Sequence, residues 1–134
     1  MTETVQPELA EDLLSPAYQC GRLMAVLAGV QHAALGEVGA DVIQRYYAAA
    51  CTTPALVFGR LVRGAQFHLG KVKQDAPRLA WWYENRIAEI CGRIGTSMPK
   101  TLTLEEQGLF ALGYYQQLAA QRSPKENNKT EGEK

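Results

Sequence analysis

The sequence predicts an all-α protein, a compact bundle of about five helices followed by a disordered polar C-terminal tail. Three observations carry this. Apolar residues recur at helical spacing through most of the chain, no segment alternates as a strand does, and several helix starts are written out in capping residues. The 134 residues suit one domain, and a chain of that length can bury roughly two-thirds of its unfolded surface. Its organisation reads as a leader over 1–14, a helical domain over 15–122 and the tail over 123–134.

The first helix runs from Pro16, with Ser15 as its cap, to Leu35, and Gly36 supplies the stop. Leu23, Val26, Leu27 and Val30 form its apolar stripe. The second covers about Asp41 to Cys51, with Asp41 placed to cap it or to complement its positive end. Its buried positions are Val42, Ile43, Tyr46 and Tyr47. The third begins with Thr53 as N-cap and Pro54 at the first helical position, and ends near Lys73. A break containing Asp75 and Pro77 precedes the fourth, about Pro77 to Ile94. The fifth starts after Pro99, where Thr103 and Glu106 form a capping box, and continues to about Arg122. Ser123 to Lys134 is polar and without periodicity, which predicts disorder. A loose turn is expected around Pro7 to Leu14.

The third helix is the most informative. At 100° per residue, Phe58, Leu61, Val62, Ala65, Leu69 and Val72 share one side, and Arg60, Arg63, Phe67 and Lys71 share the other. The second face is a basic stripe with a ring in its middle. Such a face is either a solvated surface, with Phe67 exposed or covered by a neighbour, or one that pairs with phosphates and offers a ring for a base to stack on. Net charge is zero, yet the acids crowd the two ends. Between residues 42 and 100, nine basic residues against three acidic ones leave +6. The local field decides where a polyanion binds. The candidate nucleic-acid contacts are therefore Arg60, Arg63, Lys71 and Lys73, followed by Arg45, Arg78 and Arg86.

Catalytic signatures are missing from the sequence. There is no phosphate-binding glycine loop with a following lysine, no His-Glu-x-x-His and no Gly-x-Ser-x-Gly. Cys20, Cys51 and Cys91 are odd in number and far apart, with no Cys-x-x-Cys pair. They read as reduced, packed thiols of a cytoplasmic protein, and neither metal nor cofactor is expected. Apolar runs fall short of the roughly 20 residues a membrane helix needs, and no secretory leader is apparent. The sequence is read as that of a non-enzyme.

Gly21, Gly29, Gly59, Gly64, Gly70, Gly92, Gly108 and Gly113 all fall inside helical segments, at a cost of up to about 1 kcal/mol each against alanine. They signal either close helix contacts within the bundle or close approach by another molecule, the latter at Gly59 and Gly64 beside the basic stripe. Trp81, Trp82 and Tyr83 are consecutive and so divide between core and surface. Phe110 and Tyr114 are expected in the core.

The segments SPAYQCGRLMAVL (15–27), ADVIQRYYAAACTTPALVFGRL (40–61) and LTLEEQGLFALGYYQQ (102–117) resemble the C-terminal region of the type I-C CRISPR large subunit. In that family this region is also made as a separate small protein by internal translation. A chain beginning at Met1 and holding only this region is similar to that small subunit, or else is a fragment of the large one. The resemblance spans about Ser15 to Gln121. The last block departs from the family's Gly-Tyr-Tyr-His-Gln-Arg, reading Gly113-Tyr114-Tyr115-Gln116-Gln117-Leu118, which leaves that segment a structural role. What the resemblance implies is a non-catalytic subunit of the type I-C Cascade surveillance complex. Its implied partners are the backbone subunits, the large subunit, a second copy of itself, and the R-loop of guide RNA and target DNA, through the displaced or the target strand. The alternative is a helical protein–protein adaptor that touches no nucleic acid.

Overall fold

A computed structural model describes residues 15–36, 40–96 and 98–122. Its helices are α1 (Pro16–Leu35), α2 (Ala40–Thr52), α3 (Pro54–Asp75), α4 (Pro77–Ile94) and α5 (Leu104–Arg122), with no strand among the described residues. The expected N-terminal turn and C-terminal disorder lie outside those residues, as do the side chains of Asp41, Val42 and Ile43.

The helix starts follow from local chemistry. Ser15 Oγ accepts the Tyr18 N–H at 3.3 Å, with Pro16 behind it. At α5 the capping box closes in both directions: the Thr103 N–H donates to Glu106 Oε1 at 2.8 Å, and the Glu106 N–H to Thr103 Oγ1 at 3.2 Å. Thr53 holds the N-cap position of α3 but does not cap with its side chain. Its hydroxyl donates back to the Ala49 carbonyl of α2 at 3.0 Å, because a single residue separates the two helices. The break before α4 is shorter than the sequence suggested. Asp75 still belongs to α3, and Ala76 alone makes the turn, with φ −147°. Gly36 and Gly95, at φ 70° and 91°, end α1 and α4 in a conformation that L side chains rarely adopt.

α1 is the axis of the molecule. It packs against each of the other four helices, most extensively against α5. Every residue from Ala17 to Leu27 is buried, so this part of the helix is enclosed all round instead of along one stripe. α1 and α5 meet at two glycines. A Cβ on Gly21 would collide with the Phe110 carbonyl, and one on Gly113 with the Tyr18 carbonyl. Gly29 faces the Tyr83 hydroxyl, which a Cβ would meet at 2.8 Å. The other side of the core is aromatic. Tyr47 stands edge-on to Phe110 and Tyr114, with centroids 5.4 and 5.0 Å apart, and Phe58 lies behind Phe110.

The corner between α2 and α3 also anchors the approach to α5. Ala55 N–H donates to the Pro99 carbonyl and Leu102 N–H to the Thr52 carbonyl, both at 3.0 Å. The third helix, and with it the basic stripe, is therefore held at both sides: by its apolar face on α1 and α4, and by this backbone clasp at its start.

Candidate nucleic-acid interface

α3 buries Pro54, Phe58, Leu61, Ala65, Leu69 and Val72, and Val62 is half-buried beside them. That burial turns Arg60, Arg63, Phe67 and Lys71 outward, and all four are exposed. The stripe from Arg60 to Lys71 runs about 16 Å at 1.5 Å per residue. Phe67 is 81% exposed, so none of the described helices covers it. Its ring meets His68 edge-on at 5.8 Å. Gly64 and Gly59 lie on the same open surface. A Cβ on Gly64 would meet nothing within 4 Å, and one on Gly59 only the tip of Arg63. The backbone there is accessible to an approaching group.

The candidate cations do not form one surface. Arg45 on α2 and Arg78 at the start of α4 are exposed on other helices. Lys73 is two residues past Lys71 and turns to the α4 flank, where it lines a groove with Glu84 and Ile87. Arg86 is already engaged: its guanidinium is 3.4 Å from Glu89 and lies over the Trp82 ring, 5.7 Å from the centroid. Among the described residues, Arg60, Arg63 and Lys71 have no carboxylate partner. Their exposed heads can meet an external anion.

The sequence offered no sign of a second polar feature inside the bundle. Arg22 on α1 is completely buried. Its Nε donates to Gln117 and its Nη1 to Gln19, both at 2.9 Å, and its two terminal nitrogens face the Glu89 carboxylate at 3.3 and 3.4 Å. Glu89 also takes Arg93 at 2.9 Å. Partial burial pushes the Glu89 carboxyl up, but hydrogen bonds from Arg22 and Arg93 and the charges of Arg22 and Arg86 outweigh it. The net result is a pKa below the ordinary value. Gln116 accepts from the Tyr18 hydroxyl at 2.5 Å, so the Gln116-Gln117 pair belongs to the α1–α5 seam, in the structural role expected of it.

Gln31 is the other residue the sequence gave no reason to notice. It is only 6% exposed, its Oε1 has no hydrogen-bond partner among the described residues, and it lines the same cleft as Arg60. Its only signal is a polar side chain one position after Val30 on a helix whose apolar set continues to Ala34.

The three cysteines are free. Cys20 is pushed up to about 12, first by burial and then by the neighbouring Cys91, so it is a packed thiol with little nucleophilic character. No group of three or more His, Cys, Asp or Glu among the described residues could hold a metal ion. No described helix is long and apolar enough to cross a membrane.

Fold and surface together define a small all-helical protein that presents an exposed cationic helix face and carries a buried polar clasp. The comparison of sequences names its family. Residues 2–121 match the model described as CRISPR-associated protein (Cas_Csd1), and the chain belongs to that family. No curated protein matches it.

Proposed function

We propose that this chain is the non-catalytic small subunit of a type I-C Cascade surveillance complex in the cytoplasm, made as a separate protein by internal translation. In this reading it packs beside the backbone subunits, the large subunit and a second copy of itself. There it stabilises the R-loop by sequence-independent contacts to the displaced or the target strand. Family membership supports a place in CRISPR defence. The observation that carries the DNA contact is the α3 face, where Arg60, Arg63 and Lys71 are exposed around an exposed Phe67, without carboxylate partners among the described residues. Phosphate neutralisation by such a face releases counterions and gives affinity without reading bases. Exchange of a DNA duplex for a guide–target duplex is close to balanced, so modest contacts to the strands shift it.

The test is R-loop formation by the complex with the internal start silenced and the chain added back in trans. Loss on omission and rescue on addition are expected, and rescue should fail with Arg60→Glu/Arg63→Glu although that variant folds. Equal R-loop yield without the chain would remove the DNA-holding role. It would favour the adaptor reading, which has its own observation: Leu79 and Trp81 stand 41% and 65% exposed near the start of α4, with room for a protein neighbour.

A further inference from the structure

A cleft of about 210 Å³ opens where α1, α2 and α3 meet, beside the cationic stripe. Its apolar part is formed by Leu27, Leu61 and Ala65, all buried. Gln31 contributes an amide whose Oε1 is out of water and bonded to nothing among the described residues. An unmet acceptor at a buried position is unusual, and on a residue that borders a cleft it offers a bond to a donor arriving from outside once the side chain turns toward it. Arg60 lines the cleft and also belongs to the exposed stripe, so a phosphate held there sits at the mouth. Exposed Gly64 and half-buried Tyr46 and His68 complete the lining. The volume lies below the 300–1,000 Å³ or so of pockets for drug-sized ligands, which suits a single flat heterocycle.

We infer that this cleft is a nucleobase subsite: one unstacked base of a single strand following the α3 stripe enters it, giving an N–H to Gln31 Oε1 while Arg60 holds the adjacent phosphate. The inference rests on the DNA-contact reading above. Every base can meet the requirement, through the exocyclic amine of adenine, cytosine or guanine or the ring N–H of thymine, so the subsite selects an unpaired base and not a sequence. It separates a displaced single strand from a duplex, which a row of cations alone does not.

The test compares fluorescently labelled oligothymidine with an abasic strand of the same length and charge, binding to the full chain at low salt. The wild-type chain should prefer oligothymidine by about tenfold, the size of one well-placed base contact. Gln31→Leu removes an unpartnered oxygen at similar volume. Gly64→Leu adds a side chain on an exposed turn where a Cβ meets nothing. Each should bring the oligothymidine affinity down to that of the abasic strand. A preference unchanged in both variants would assign it to Phe67 and overturn the subsite. Equal wild-type binding of the two strands overturns the subsite but leaves the phosphate contacts standing, whereas binding of neither overturns both.

Discussion

Arg22 and Glu89 show how much one buried charge organises. The guanidinium is fully enclosed, yet Gln19, Gln117 and Glu89 satisfy its donors from α1, α5 and α4, so one side chain ties three helices together. Isolated in low dielectric it would be costly, but paired and hydrogen-bonded it is tolerated. Its carboxylate partner gives a pH-dependent signature. The Glu89 pKa is depressed in the folded state, so the unfolded chain binds more protons in that window and stability rises with pH there. The contribution is complete above the ordinary value of 4.5 and is lost as pH falls through the lower folded value. Glu89→Gln should therefore be less stable than wild type at neutral pH, with the difference shrinking as pH drops below about 4.5. Urea midpoints across that range measure it; a difference that does not vary with pH would show that the arginines do not hold Glu89 ionised. None of this was legible beforehand, because Arg22 sits among Leu23, Met24 and Val26 with nothing in its own segment to mark it as buried.

At the scale of helices, the glycines divide into two kinds that the sequence could not tell apart. Gly21 and Gly113 set the separation of α1 and α5, since a methyl on either meets the other helix's backbone, which cannot give way as a side chain could. Gly92 is exposed on α4 with nothing within 4 Å of an added Cβ. Gly113→Ala should destabilise the fold by about 1–3 kcal/mol through overpacking. Gly92→Ala should stabilise it by up to about 1 kcal/mol through helix propensity. Denaturant midpoints of the two variants compare them directly, and a matching sign would mean that α1 and α5 do not meet at Gly113. Both positions lie inside helical segments of the sequence; which contacts surround them is a property of the crossing.

For the whole molecule, net charge is a poor guide and its distribution a good one. The chain has as many acidic as basic residues, but the three cations of the α3 stripe pair with no carboxylate among the described residues. If they neutralise three phosphates of a single strand, the logarithm of affinity should fall against the logarithm of salt with a slope of about −2. Removing one charge with Arg63→Gln should flatten that slope by roughly 0.7. Titrations of oligothymidine at several salt concentrations give both values, and a slope near zero would place the contact elsewhere.

The sequence by itself determined the helical class, the five segments, most of their ends and the two faces of α3. These depend on contacts between residues a few positions apart: an oxygen reaching an amide one turn on, a proline where no N–H is needed, apolar side chains recurring every three or four residues. The Ser15 and Thr103–Glu106 caps and the outward turn of Arg60, Arg63, Phe67 and Lys71 follow from them. Tertiary structure alone decided that α1 is enclosed on every side from Ala17 to Leu27, that Tyr83 is buried while Trp81 is exposed, that Lys73 lies toward the α4 flank, and that Arg86 is engaged by Glu89. It also brought Gln31 of α1 to the same cleft as Arg60 of α3. Each of these depends on which helix lies against which, and a helical period specifies a face without naming its neighbour.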